Sequence, residues 1–233
     1  MRCRLVLLGL AFLAMPAAQA ADRPVVVELF TSQSCSSCPP AEEVLTELSR
    51  GRPDLLPLGY HVTYWNRLNW RDTYSLPAAT ERQNEYAAQF GGGSVFTPQL
   101  VVDGRRSVVG SQRGEVAAAI AQARAQARSA ADLGLVREGA NVIVTVGRGS
   151  GAGRLLLVGF DRGEHRTSVK SGENAGRALT QSNIVRSVRT LGRWTGAAQR
   201  LSEPAPLGAD AAVILQAPDG RILGVARLGL AAS

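Results

Sequence analysis

Cysteine is scarce in this chain, with three residues in 233, and histidine is scarcer, with two. Cys3 precedes an apolar run at the N-terminus, which leaves Cys35 and Cys38 as the only pair in the rest of the sequence. A secreted domain held together by disulfide staples carries several pairs that span long loops. The loop closed by Cys35-Ser36-Ser37-Cys38 is too small for a bridge to remove much unfolded-state entropy. Stability is therefore a poor explanation for the pair, and a chemical role is expected. A zinc site is poorly supplied with ligands, because His61 and His165 have no finger-like spacing and there is no second cysteine pair. Nor does any apolar run beyond residue 20 approach the roughly 20 residues that a membrane-spanning helix needs. The formal charge is +7, or +5 without Arg2 and Arg4. The cations are nearly all arginines scattered singly, with no basic stripe interleaved with aromatics, so no nucleic-acid footprint is expected.

The N-terminus carries what the rest lacks. Met1-Arg2-Cys3-Arg4, the apolar run Leu5 to Met15 and the small residues Ala18-Gln19-Ala20 form the three regions of a secretory signal peptide. Residues 1–20 are assigned to that signal, the rest of the chain to a periplasmic or secreted location, and no stable membrane insertion is expected after cleavage.

Val25 to Phe30 reads as a buried strand entering a loop at Thr31-Ser32-Gln33-Ser34. Pro39-Pro40 then opens a helix to about Arg50, since proline is accepted where first-turn N–H groups have no partner. Leu55 to Tyr64 alternates as a second strand, and the aromatic stretch Trp65 to Asp72 fits neither period. A helix is expected over Ala78 to Phe90, then strands at Gln99 to Val102 and Ser107 to Gly110 joined by Asp103-Gly104, a hairpin turn signal. A helix over Gly114 to Arg128 follows. Beyond residue 131 the texture changes to short strands, at Leu133 to Arg137, Asn141 to Val146, Arg154 to Phe160, Ile184 to Gly192, Ala211 to Gln216 and Ile222 to Ala226. The expected organisation is an α/β domain over residues 25–131 and a small β-rich, sandwich-like domain over 132–233 that positions partners rather than reacts.

The chemistry is expected at Cys35 and Cys38. Unpaired N–H groups and the macrodipole at a helix start favour negative charge, so Cys35 is the expected attacking thiolate and the more exposed of the two. Cys38, one turn further in, resolves the mixed disulfide. The same residues allow a different class of function: two cysteines and His61 form a ligand set for copper, which makes a metal-binding or delivery module the alternative. A third reading is a binding domain whose disulfide is inert. Trp65, Trp70 and Tyr74 form either a partner-binding rim over the cysteines or ordinary packing.

Phe30 ahead of Cys35-Ser36-Ser37-Cys38, with Thr97-Pro98-Gln99-Leu100-Val101-Val102-Asp103-Gly104 downstream, resembles the thioredoxin superfamily. The runs Glu28 to Gln33, His61-Val62-x-Tyr64-Trp65, Thr80-Glu81-Arg82-Gln83, Gly172-Glu173-Asn174 and Asn183 to Arg186 resemble the exported family DUF1223, over most of the chain. The superfamily resemblance implies a thioredoxin-like fold for residues 25–131, with Cys35 as nucleophile, Cys38 as resolving thiol and Pro98 as a cis-proline beside them. Thr97 would pair with an extended substrate segment. Exchange on protein thiols and disulfides or small thiols would need no cofactor beyond the redox-active disulfide. Glu28 resembles the acidic residue beneath the cysteines in many relatives and is a candidate proton acceptor, the alternative being a strand-edge carboxylate paired with an arginine. Ser34 replaces the tryptophan common before the first cysteine, and Ser-Ser replaces Gly-Pro between the two, so a reduction potential does not carry over.

Overall fold

Val25–Thr31 forms β1, and all seven of its residues are buried. Burial on both faces places it in the middle of a sheet covered on both sides. It is an inner strand of an eight-stranded sheet. In this computed structural model residues 23–229 are described, so the expected leader, residues 1–20, lies outside them. After β1 come α1 (Pro39–Ser49), β2 (Leu55–His61), a single 3-10 turn at Tyr64–Arg67, α2 (Pro77–Gln89), β3 (Gln99–Val102), β4 (Arg106–Val109) and α3 (Arg113–Arg124). The second half supplies β5 (Leu133–Glu138), β6 (Asn141–Val146), β7 (Gly153–Ser168), β8 (Ala178–Trp194), β9 (Gln199–Pro204), β10 (Asp210–Gln216) and β11 (Ile222–Arg227). No helix among the described residues is long and apolar enough to cross a membrane.

The architecture is mixed α/β, with one large mixed sheet in the order β11-β10-β7-β8-β2-β1-β3-β4 and a second, antiparallel sheet in the order β5-β6-β9. β1 and β2 run parallel and β3 antiparallel to β1. Alternation sends Val25, Val27 and Leu29 to one face, against Val44 and Leu45 of α1 and Val116 and Ile120 of α3. Val26 and Phe30 go to the other face, against Ala79 and Tyr86 of α2. Asp103 and Gly104 both have positive φ in the hairpin turn expected between β3 and β4, and Val102 pairs with Arg106 across a three-residue loop. Asp103 has a second role, because its carboxylate takes two hydrogen bonds from the buried guanidinium of Arg23, at 2.7 and 2.6 Å.

The large sheet continues across the boundary drawn at residue 131. β8 joins β2 in parallel at Gly59 and Ile184, and Leu156, Val158, Ala212 and Ile214 share one core with Val26 and Phe30. Glycine is required at 59, where a Cβ would meet the Ser182 carbonyl oxygen at 3.0 Å. Asn183, with φ 49°, takes the left-handed conformation that asparagine tolerates. Its amide donates to the Pro57 carbonyl at 2.8 Å, and its oxygen accepts from Gly163 N–H at 3.0 Å. The small sheet packs on β7 and β10 of the large sheet around the buried Trp194.

Several expected limits shift. β2 ends at His61 rather than Tyr64, because Val62 N–H turns to the Thr31 carbonyl and the chain enters the 3-10 turn. β7 and β8 are far longer than expected, running to Ser168 and from Ala178, and β9 was not anticipated.

Candidate functional site

The chain leaves β1 at Thr31, turns through Ser32 to Ser37 and enters α1 directly after Cys38, with prolines at the first helical positions. Cys35 N–H bonds the Ser32 carbonyl and Cys38 N–H the Cys35 carbonyl, at 3.1 and 3.2 Å. This tight turn brings the two Cα atoms to 5.4 Å and joins the cysteines in a disulfide. Pro39 and Pro40 carry no N–H, and the Ala41 and Glu42 N–H groups both bond the Cys38 carbonyl, at 2.9 and 3.1 Å, with no side chain capping the helix. Cys35 is 1% exposed and Cys38 0%, so the expected difference in exposure is absent in the oxidised form. The flanking Ser36 and Ser37 are exposed.

The segment before β3 lies against the first cysteine. The Thr97-Pro98 bond is cis, Thr97 Oγ1 donates to Cys35 Sγ at 3.3 Å, and Trp65 Nε1 donates to that same hydroxyl at 2.8 Å. Trp65 is thus engaged from behind, and through Thr97 it aims a hydrogen at sulfur. Ser37 Oγ lies 3.3 Å from Cys35 Sγ. Gln83 of α2 fixes the segment by donating to the Phe96 carbonyl at 2.7 Å and to Gln99 Oε1 at 2.9 Å. Thr80 supports the turn that carries Trp65, accepting from Thr63 N–H at 2.9 Å.

Beneath the loop lies a buried titratable cluster. His61 Nδ1 is 2.7 Å from Asp72 Oδ2, and that oxygen also accepts from Gln33 N–H at 2.8 Å. Glu42 of α1, one helical turn after Cys38, accepts from Thr31 Oγ1 at 2.8 Å. Burial pushes the Glu42 carboxyl up to about 7, against the downward pull of His61 and the Thr31 hydrogen bond. Burial alone would lower His61, but the charge and hydrogen bond of Asp72, with Glu42, hold it above its ordinary value. Burial would raise Asp72, and His61 with two backbone N–H groups holds it below the usual carboxylate range instead.

Glu28 is not in this cluster. It shares the parity of Val26 and Phe30 and therefore faces α2, where Arg82 donates to both its oxygens at 2.5 and 3.0 Å and Tyr86 donates to one of them. It is the arginine-paired carboxylate of the alternative, although fully buried rather than at an edge. Of the copper set, His61 is 1% exposed with its Nδ1 on Asp72, and Cys35 and Cys38 are joined to each other. No group of three His, Cys, Asp or Glu among the described residues is placed to hold a metal ion. Trp70 packs its indole N–H on Gln33 Oε1 at 3.0 Å, and Tyr74 meets His61 edge-on.

The remaining parts of the site come from the tip of the β7–β8 hairpin. Asn174, fully buried, donates both amide hydrogens to the loop, to the Gln33 carbonyl at 3.0 Å and the Cys35 carbonyl at 2.9 Å. Glu173 Oε2 accepts from Ser36 N–H at 3.0 Å. Gly172, at φ +77°, fits where a Cβ would meet the Leu68 carbonyl oxygen at 3.0 Å. In the sequence, the only signal for these residues was the family motif Gly172-Glu173-Asn174, which carried no role. Gln33, Glu42, Asp72 and Arg82 were likewise not singled out.

The family model "Protein of unknown function (DUF1223)" matches residues 26–216. A search of curated proteins gave no match. Among solved structures, the crystal structure of protein AGR_C_4864 from Agrobacterium tumefaciens is 31% identical and superimposes with a TM-score of 0.76, covering 92% of this chain and 98% of that one. HBP35 of Porphyromonas gingivalis, 14% identical, has a TM-score of 0.63 over 90% of this chain and 76% of its own, a likeness of fold.

Proposed function

The chain belongs to the DUF1223 family, and we propose that it is an exported thiol–disulfide exchange protein of thioredoxin-like architecture. The fold reading is supported by parallel β1 and β2 flanking α1, by antiparallel β3 and β4, and by the cysteines at the head of α1. The observation that carries the function is the hydrogen bond from Thr97 to Cys35 Sγ, backed by Trp65, at a helix N-terminus. The hydroxyl favours a thiolate directly, Trp65 orients that hydroxyl, and the helix dipole adds to both. An inert disulfide has no use for them.

In the reduced protein the Cys35 thiolate attacks one sulfur of a partner disulfide. A bond forms between Cys35 and that sulfur, and the partner's other sulfur leaves as a thiolate. Cys38 then attacks Cys35, forming the internal disulfide and releasing the partner as a dithiol once protons are taken up. Run in reverse, the same steps oxidise a partner dithiol, and the direction follows the relative potentials. Partners are protein or small-molecule thiols and disulfides, and the protein supplies its own redox group.

The test is alkylation and trapping. Iodoacetamide should label Cys35 before Cys38 in the reduced protein, with an apparent pKa below the free cysteine value of about 8.5. Cys38→Ser should accumulate mixed disulfides with a small disulfide such as oxidised glutathione, and Cys35→Ser should form none. Labelling of Cys38 first, or no trapping by Cys38→Ser, would refute the assignment.

Thr97→Val removes the hydrogen bond to the sulfur at nearly constant volume. Hydrogen bonds to charged groups contribute about 1.5–3 kcal/mol, so alkylation of Cys35 at pH 7 should slow roughly tenfold or more, because less thiolate is present. An unchanged rate would mean that the thiolate is stabilised by the helix alone.

A further inference from the structure

We propose that the tip of the β7–β8 hairpin is the selectivity element of the exchange site, with Glu173 placing a fixed negative charge beside Cys35 that favours cationic disulfide partners. This rests on the exchange reading. Two carboxylates hydrogen-bond the cysteine loop, and they lie on opposite sides of it. Asp72 is buried beneath and matched to His61, whereas Glu173 is exposed and sits on the outside, on the N–H of the residue that follows Cys35. Whatever approaches Cys35 past the exposed Ser36 and Ser37 meets that carboxylate.

The charge is held in place rather than swinging on a free loop. Asn174, the next residue, is locked to the carbonyls of Gln33 and Cys35. Ser171 Oγ donates to the Asn69 carbonyl at 2.5 Å, and Gly176 N–H closes the tip onto the Val169 carbonyl. Hydrogen bonds from Ser36 also hold the Glu173 carboxyl below the usual range, so it is ionised at neutral pH. Two cations share the tip. Arg177 is tied to the outer oxygen of Asn174 at 2.8 Å, one side chain further from the sulfur, and Lys170 is exposed. The carboxylate is the tip charge in direct contact with the cysteine loop.

The chemistry is the exchange already written, a Cys35 thiolate displacing one thiolate from a disulfide. Only the charge carried by the disulfide is selected. The experiment measures the rate at which the reduced mature protein, without residues 1–20 and their Cys3, reacts with cystamine, a dicationic disulfide, and with dithiodipropionate, a dianionic one, at low ionic strength. The wild type should react faster with cystamine, and Glu173→Gln should reduce the ratio of the two rates at least threefold, with 1 M salt shrinking the difference between the proteins. Glu138→Gln, which removes an exposed carboxylate on β5, should leave the ratio unchanged. An equal ratio in wild type and Glu173→Gln, or an equal change in Glu138→Gln, would overturn the selectivity role while leaving exchange intact. Absence of reaction with either disulfide would refute the exchange reading itself, and this inference with it.

Discussion

Arg82→Met is expected to destabilise the protein by about 3–5 kcal/mol, the cost of leaving a buried charge without its partner. The Arg82 guanidinium donates to both oxygens of Glu28, to Tyr86 Oη at 2.9 Å and to Gln216 Oε1 at 3.2 Å, and its side chain is 4% exposed. Glu28 sits mid-strand in β1 and is fully buried. One element after another is pinned by this group: β1 through Glu28, α2 through Arg82 itself, and β10 through Gln216. Urea unfolding with the disulfide intact in every variant reads the loss as a lower midpoint at unchanged slope. The double variant Glu28→Leu/Arg82→Met should recover most of it, because removing both charges leaves no carboxylate to desolvate. A cost below about 1 kcal/mol for the single variant would mean that Tyr86 alone satisfies the carboxylate.

The same pair shows how the strand period bears on the candidate site. Along β1 residues alternate between faces, so Glu28 goes with Val26 and Phe30 toward α2, while Thr31 goes with Leu29 toward α1 and the cysteines. A carboxylate seven positions before Cys35 therefore points away from it, and that much could be read from the period alone. What could not be read was which acid takes the place beneath the loop, because Glu42 lies on the helix and its partners Thr31, His61 and Gln181 come from three strands. The strand–loop–helix around the cysteines was legible because its signals are local, namely β-branched residues, two prolines and an Asp-Gly turn. The outer half of β7 was not. Residues 161–168, Asp-Arg-Gly-Glu-His-Arg-Thr-Ser, contain no apolar member, and only pairing with residues 178–184 of β8 makes them a strand. Asn174 reaches Cys35 across 139 positions, a contact that no local pattern encodes. For the same reason the change of texture near residue 131 reads as a boundary, while the sheet continues through it.

Stability is expected to be greatest in mildly acidic solution and to fall as the pH rises, with Glu42 as the largest contributor. Burial raises its folded carboxyl from 4.5 to about 7, so the folded state holds a proton that the unfolded chain has already released. The stabilisation this gives is complete below about pH 4.5 and is lost as the pH rises through 7, roughly 3 kcal/mol in all. His61 acts with the same sign, since its folded value is also raised above 6.5 and its contribution is lost as the pH climbs past that folded value. Asp72 acts in the opposite sense. Its folded value is depressed below 3.8, so its contribution is present above the unfolded value and disappears only in stronger acid. The three together place the maximum near pH 4.5–5, between the loss of Asp72 on the acid side and the loss of Glu42 and His61 on the other. Glu42→Gln separates Glu42 from the rest, because glutamine keeps an oxygen for the Thr31 hydroxyl and weakens only the 3.5 Å contact with Gln181. At pH 4.5 the variant should match the wild type to within about 1 kcal/mol, the size of one neutral hydrogen bond. By pH 8 it should be the more stable protein by about 2–3 kcal/mol, because an amide has no charge to desolvate. Urea midpoints measured across pH 4–8, with the disulfide intact, give both curves. Parallel curves would show that Glu42 ionises in the folded protein as readily as in the unfolded one, and that the hydrogen bond from Thr31 and the charge on His61 fully offset its burial.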